Sequence, residues 1–197
     1  ENNIAIGNNA LCAANSGDLN IAIGHHALPA VTSGHRNVAL GVCAGRCLAS
    51  GTYNVLIGKC PGAGDSSSVP SGDHNIFFGT EVAQYATSGD NNIAIGRYAS
   101  KGASGSSNLS GNNNIALGMN SLFCITSGAR NIAIGSYALQ KCTTSGACNI
   151  AIGEKAGRCI SGNCNIAIGC SAMRSLGGGS GNDNIAIGGQ AMSCLNS

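Results

Sequence analysis

Apolar and polar positions alternate over short stretches that recur along the whole chain. Each stretch reads Asn, apolar, small, apolar, Gly, as in NIAIG at 131–135. Four or five residues rich in Ile and Val, bounded by Gly, Asn and Ser, are typical of a short β-strand. Glycine at fixed places in every repeat argues against a helix, because it destabilises a helix interior. The leading Asn occurs eleven times, at Asn3, Asn20, Asn37, Asn54, Asn75, Asn92, Asn114, Asn131, Asn149, Asn165 and Asn184.

These copies form one tandem array that fills the chain. Successive leading asparagines are 16 to 22 residues apart, and the unit reads S-G-x-x-N-I-A-I-G-x-x-A-L. Ser-Gly and Gly-x-x are turn signals, so each unit has two corners and forms one flattened coil. A single coil cannot bury its apolar side chains alone, so the coils must stack. The sequence therefore predicts an all-β fold: one domain over residues 1–197, a parallel β-solenoid (β-roll) of about eleven 16–22-residue coils.

The two faces of the predicted strand differ in composition. Side chains alternate along a strand, so the residues one and three places after the Asn, such as Ile4 and Ile6, share a face. They are Ile, Val, Leu or Phe in every copy, and we expect them to line the coil interior. The opposite face carries Asn, Ala and Gly, which favours close packing there, for example against another copy of the chain. The alternative is a bend that turns the Asn inward, with Ala merely tolerated. Leu56 and Phe77 replace this Ala in two neighbouring copies and would widen a tightly packed face.

The repeated asparagines fall in one column when coils stack in register. Stacked amide groups hydrogen-bond from one strand to the next, which predicts a structural ladder of all eleven asparagines. A row of ligand-binding amides is the functional alternative for the same column.

The repeat resembles the head domains of trimeric autotransporter adhesins, and similar repeats in phage tail-fibre proteins. The resemblance rests on the N-I-A-I-G-x-x-A core, seen at 131–138, and covers the chain from Asn2 to Met192. It implies a left-handed parallel β-roll with three chains about one axis. It also implies a role in adhesion at a bacterial or phage surface.

Composition excludes several classes of protein. Hydrophobic residues make up 43% of the chain and charged residues 9%, which argues against disorder. The formal net charge of +2 gives no electrostatic reason to expect a nucleic-acid partner. No apolar run approaches the roughly 20 residues of a membrane span, so we expect no membrane insertion. Residue 1 already lies inside a repeat, and no signal peptide is visible.

The 11 cysteines fit the repeat better than a metal-binding pattern. No C-x₂-C pair of the zinc type occurs. Several cysteines take matching positions in adjacent copies, and stacking would place their Cα atoms about 4.8 Å apart, within disulfide range. Disulfides would indicate an oxidising compartment, and small buried thiols are the alternative. The candidate pairs are Cys43–Cys60, Cys148–Cys164 and, with a one-residue offset, Cys142–Cys159.

Signals for chemistry are weak. His25, His26, His35 and His74 occupy corner positions without carboxylates in matching columns, so the sequence predicts no catalytic residue, no metal site and no cofactor. Asn108 begins an Asn-Leu-Ser glycosylation acceptor in the longest insertion. An enzyme is therefore the least favoured class.

Two functions remain. The first is a structural protein, an extracellular, cell-surface or virion-surface fibre segment that forms a homo-oligomer or stacks end to end into a filament. Asn184 and the Asn3 of a following copy would be 16 residues apart, a spacing that the array already uses between Asn149 and Asn165. The alternative is an adhesin or tail-fibre head that binds a host receptor or glycan through the loops at 58–75 and 96–114.

Overall fold

The computed structural model describes eight stretches of the chain, which together contain every copy of the repeat. They contain eleven strands, which form one parallel sheet in sequence order, and no helix. The predicted fold, an all-β parallel β-solenoid, is confirmed. The described residues are 2–13, 16–64, 71–85, 88–102, 110–124, 126–140, 145–174 and 181–193.

Each strand has three residues and begins directly after the leading Asn of its copy, which we call the ladder asparagine. We call each copy, counted from its ladder asparagine, a coil. The strands are β1 (Ile4–Ile6), β2 (Ile21–Ile23), β3 (Val38–Leu40), β4 (Val55–Ile57), β5 (Ile76–Phe78), β6 (Ile93–Ile95), β7 (Ile115–Leu117), β8 (Ile132–Ile134), β9 (Ile150–Ile152), β10 (Ile166–Ile168) and β11 (Ile185–Ile187).

Equivalent residues of neighbouring coils lie directly beside each other. Ala133 pairs with Ala151, although coil lengths differ along the array. The longest spacing, between Asn92 and Asn114, leaves the register intact, since Ile93 still pairs with Ile115. Extra residues are therefore accommodated outside the strands, and every position of the repeat becomes a column along the solenoid.

The prediction that Ile4, Ile6 and their equivalents point inward is wrong. Ile6 is 57% exposed, whereas the central Ala133 of β8 is fully buried. The cause is the narrowness of the coil. A Cβ atom added to Gly157, on the wall opposite β9, would lie only 3.2 Å from the Cβ of Ala151. Two walls this close leave little room beyond the central residue of each strand, so the Ile side chains on either side of it lie outside. The small-residue face is the core of the coil itself and not a contact with another copy.

The two coils with a large residue at the central strand position confirm how little room the interior has. Leu56 and Phe77 are buried there, 2% and 5% exposed. Glycines stand opposite them: a Cβ on Gly45 would lie 2.7 Å from Leu56 Cδ1, and one on Gly62 would lie 3.3 Å from Phe77 Cδ2. A larger side chain on the strand thus fills the volume that a glycine on the opposite wall leaves free. The sequence had suggested that the packing would widen at these coils, and the structure shows that it does not.

The wall opposite the sheet turns through left-handed backbone. In the coil that contains β8, Tyr137 and Leu139 have φ angles of 61° and 47°, and Arg130, directly before this coil, has a φ of 58°. Side chains other than glycine adopt this conformation at a cost, and here it recurs at equivalent places in every coil. It lets the chain reverse tightly and turn Leu139 into the core.

The glycines of the two corners are needed for different reasons. Gly135, directly after β8, has a φ of 128°, a region that other residues rarely enter. Gly111, in a Ser-Gly corner, is not among the residues with left-handed φ. A Cβ on Gly111 would lie 2.0 Å from the carbonyl oxygen of Gly128 in the next coil. The sequence had suggested that the Ser-Gly glycine is needed for a tight turn of the backbone. The structure shows that it is needed for the close approach of two coils.

Candidate functional site

The ladder asparagines form a continuous hydrogen-bonded row inside the solenoid. The side-chain Nδ2 of Asn131 donates to Asn114 Oδ1 at 3.1 Å and to the carbonyl oxygen of Gly146 at 2.9 Å. Its Oδ1 accepts from the backbone N–H and the Nδ2 of Asn149, at 3.0 and 3.1 Å. Both donors and both acceptor sites of the amide are thus used within the protein. From Asn37 to Asn165 the ladder amides are used in the same way, so these coils leave no amide atom to hold a ligand, which favours a structural role.

A second ladder runs along the corner two residues before each ladder asparagine. Here the backbone N–H of one coil donates to a side chain of the next coil, which is the opposite direction to the asparagine ladder. Thr52 donates to Asp73 Oδ1 at 2.6 Å, Asp73 to Asp90 Oδ1 at 2.8 Å, and Asp90 to Asn112 Oδ1 at 2.8 Å. This ladder is only partly buried, so it adds order to the corner with less energy per bond.

The sequence interpretation missed this second ladder because its residues vary. From Asp18 onward, the column holds Asp, His, Thr or Asn in every coil except those of Ala129 and Ala147. All four residue types can accept a hydrogen bond from a backbone N–H. Reading the column by hydrogen-bonding capacity instead of by identity would have revealed it.

His35 belongs to this second ladder, and its surroundings correct the view that the histidines lack carboxylate partners. Its Nδ1 lies in hydrogen-bonding contact with the carboxylate of Asp18, in the preceding coil. The same nitrogen is 3.1 Å from the backbone N of Asp18, so it accepts from that N–H when unprotonated and donates to the carboxylate when protonated. The hydrogen bond to His35 lowers the pKa of Asp18. No nucleophile accompanies the pair among these contacts, and it serves as one step of the ladder.

The most extensive surface feature is the outer face of the sheet. We define the outer face as the two columns one and three residues after each ladder asparagine. These residues are all apolar, and exposure reaches 62% and 67% at Ile185 and Ile187 in β11. Even in central coils, Phe78, Ile95 and Ile152 are 51%, 39% and 38% exposed.

The outer face is large for a protein of this size. Eleven strands at about 4.8 Å each make it about 50 Å long, and about 10 Å of width gives roughly 500 Å² before side-chain relief is counted. The largest apolar patch on a typical monomer is about 300–600 Å² and is often functional. The outer face is therefore the candidate functional site.

The cysteine columns lie where the register places them. Cys43 and Cys60 have nearly identical φ angles of 56° and 55°, and Cys148 and Cys164 have 59° and 58°. All four are free thiols in the structure. Burial and then the neighbouring Cys43 raise the pKa of the Cys60 thiol, and burial and then Cys148 raise that of Cys164.

The disulfides Cys43–Cys60 and Cys148–Cys164 stay predictions for the oxidised protein. We expect non-reducing peptide mapping, after alkylation of the native protein, to recover both cross-linked pairs. Recovery of the four residues as alkylated thiols would contradict this. Cys142, the partner predicted for Cys159, lies outside the described residues.

Other candidates are described only in part. The glycosylation acceptor Asn108 lies outside the described residues, as do 65–70 and 103–109 in the two loops proposed for receptor binding. No group of three or more His, Cys, Asp or Glu in the described stretches could hold a metal ion. Among the same stretches, no helix is long and apolar enough to cross a membrane.

Fold and surface together define a parallel β-solenoid repeat protein with an exposed apolar sheet face. Comparisons with family models, with curated proteins and with solved structures find no match.

Proposed function

We propose that the chain is a structural protein, a stiff β-solenoid segment that self-associates through its outer face as part of an extracellular or virion-surface fibre. The single observation that carries the proposal is the exposed apolar face along all eleven strands. The continuous asparagine ladder, the interrupted corner ladder and the in-register sheet make each chain a rod. The outer face gives such rods a means of lateral packing.

The size of the outer face suits a stable interface. Specific interfaces bury about 800 Å² on each partner. The flat area of roughly 500 Å², increased by projecting side chains and by residues at its margins, approaches that value. Burying one Ile side chain contributes about 1.5–3 kcal/mol. Central residues such as Ile134 and Ile152 are 36% and 38% exposed, so each contributes only a part of this, and both columns together are needed to offset the entropy lost on association.

A second copy of the same chain fits this face better than an unrelated partner. The outer face repeats at the strand spacing of about 4.8 Å over its whole length. Another copy carries the same spacing, so side chains of two copies interdigitate along the entire rod. The two columns contain no charged residue, so identical faces meet without electrostatic repulsion. Contacts between identical subunits usually close into cyclic assemblies, and a trimer is the form that the resemblance to adhesin heads implies.

The self-association is tested by placing charge on the outer face. We expect the double variant Ile134→Lys/Ile152→Lys to dissociate into monomers in sedimentation velocity experiments, while its circular dichroism stays unchanged. Ile134 and Ile152 are 36% and 38% exposed, so losing both contacts costs about 1–2 kcal/mol in each chain. Placing two ammonium groups against an apolar partner adds a desolvation cost, so we expect the dissociation constant to rise at least about tenfold. Light scattering of the unaltered chain gives the oligomer number and shows whether assemblies also grow end to end.

The matched control is Leu19→Lys/Tyr53→Lys. Leu19 and Tyr53 are 43% and 48% exposed, lie outside the two columns, and receive the same added charge. We expect this control to assemble as the unaltered chain does. Equal dissociation of both variants, or a parent chain that is monomeric at micromolar concentration, would contradict the proposal. Antibody labelling of intact cells or virions tests the surface location.

A further inference from the structure

Two pairs of cysteine side chains project in parallel from adjacent coils. Cys43 lies five residues after Val38 and Cys60 five residues after Val55, and Val38 and Val55 are paired in the sheet. The backbone N–H of Cys43 donates to His25 O at 2.8 Å, and that of Cys60 donates to Val42 O at 2.9 Å. Equal offsets, equal hydrogen bonds and equal φ angles make the two Cα–Cβ bonds parallel.

Cys148 and Cys164 form a second pair of the same kind at a different corner. Each lies two residues before the first strand residue of its coil, Ile150 or Ile166, and these two residues are paired. Their backbone N–H groups donate to Ala129 O and Ala147 O, both at 3.0 Å. The arrangement thus occurs twice, at two different corners of the coil. A peculiarity of one corner therefore does not explain it.

The spacing of parallel thiols suits a bridging ion. Equivalent backbone atoms of adjacent coils lie about 4.8 Å apart, and the two thiols of each pair are within hydrogen-bonding reach of each other. A direct disulfide has a sulfur–sulfur distance of about 2.05 Å and Cβ atoms about 3.8 Å apart, so the coils must draw together locally. A linear sulfur–metal–sulfur bridge with bonds of about 2.3 Å spans about 4.6 Å, between thiol contact and the coil separation, so small rotations of the two side chains suffice.

We propose that, in the reduced protein, each of these cysteine pairs binds one soft monovalent ion of the copper(I) or silver(I) class in linear coordination. Soft thiolate ligands select such ions. On binding, two S–H bonds break, two metal–sulfur bonds form and two protons are released, with no change of oxidation state. The product of two thiolates and one M⁺ carries a single negative charge. Each bridge has one cation and one carboxylate nearby, so the local charge neither favours nor opposes it strongly. These groups are Lys59 and Glu81 beside Cys60, and Arg130 and Asp183 beside Cys164.

Silver(I), which is not oxidised in air, tests the proposal on the full-length reduced chain. With two equivalents of silver(I) in chloride-free buffer, we expect iodoacetamide to modify Cys43, Cys60, Cys148 and Cys164 at least about tenfold more slowly than without silver. Cys12 and Cys170, which are exposed and unpaired in their columns, serve as internal controls and keep their rates. X-ray absorption should show two sulfur neighbours for each silver ion.

A single substitution then separates a paired site from ordinary thiol binding. In Cys43→Ser, we expect Cys60 to lose its protection while Cys148 and Cys164 keep theirs, which also reports that the chain remains folded. Retained protection of Cys60 in this variant would overturn the inference. Equal protection of Cys12 and Cys170, or three or more sulfur neighbours for each silver ion, would overturn it as well.

Discussion

Asn114→Ala is expected to lower the free energy of unfolding by about 3–5 kcal/mol, because several buried groups lose their partners at once. Asn114 Oδ1 accepts from the backbone N–H and Nδ2 of Asn131, at 3.0 and 3.1 Å. Its Nδ2 donates to Gly128 O at 2.9 Å. Alanine removes this amide, while Asn131 N–H and Gly128 O stay inside the coil. Each unpaired buried group costs about 1–3 kcal/mol, so the sum outweighs the loss of one ordinary hydrogen bond.

The control for this prediction lies two residues away in the same corner. Asn112→Ala makes the same chemical change but removes an exposed acceptor, which holds the backbone N–H of Asp90 at 2.8 Å. Water can replace that acceptor, so we expect a loss of about 1 kcal/mol or less. Urea titrations of both variants, followed by circular dichroism, measure the difference. Similar losses for the two variants would show that the asparagine ladder contributes no more than a surface hydrogen bond.

The strands, their parallel stacking and the asparagine column could be predicted because a tandem repeat constrains its own register. Once Ile132 and Ile150 occupy the same place in consecutive copies, a slip by one residue would turn every side chain to the other face. Cys43 and Cys60 fall side by side for the same reason. These predictions required only the order of residues along the chain.

The direction of the outer face could not be predicted from the strand alone. Large apolar residues normally line a core, and this expectation placed Ile132 and Ile134 inside. What decides the matter is the distance to the opposite wall, which left-handed residues such as Tyr137 and Leu139 set. Tyr and Leu rarely adopt a positive φ, so their presence in the sequence does not indicate one. One clue was present in the sequence, since Leu56 and Phe77 at the central position coincide with Gly45 and Gly62 in a column where Leu or Met stands in most other coils.

That coincidence of large and small residues leads to the second prediction. Ala133→Phe is expected to destabilise the chain by at least about 3 kcal/mol, at the upper end of the range for overpacked cores. Ala133 is fully buried, and the facing Leu122 of the preceding coil is 1% exposed. Where the chain itself places Phe77 at this position, the facing residue of the preceding coil is Gly62. In the coil of Ala133 a phenyl ring meets Leu122 instead. This coil also has Leu139 where that of Phe77 has Ala83.

Adding Leu122→Gly to Ala133→Phe should therefore recover part of the lost stability. Leu122 has a φ of 48°, a conformation that glycine adopts without strain, and its removal opens the space that the ring needs. Leu122→Gly alone leaves a cavity and costs about 2–5 kcal/mol. We expect the double variant to be more stable, by about 1–3 kcal/mol, than the sum of the two single losses predicts.

Leu28→Gly is the matched control, because Leu28 has a φ of 46° and is fully buried in the same column, but far from Ala133. We expect it to give no recovery. If Ala133→Phe unfolds the chain, circular dichroism replaces the stability measurement. We then expect the β-type spectrum to return when Leu122→Gly is added and not when Leu28→Gly is added. A melting temperature for Ala133→Phe equal to that of the parent would mean that the coil interior is wider than the structure shows.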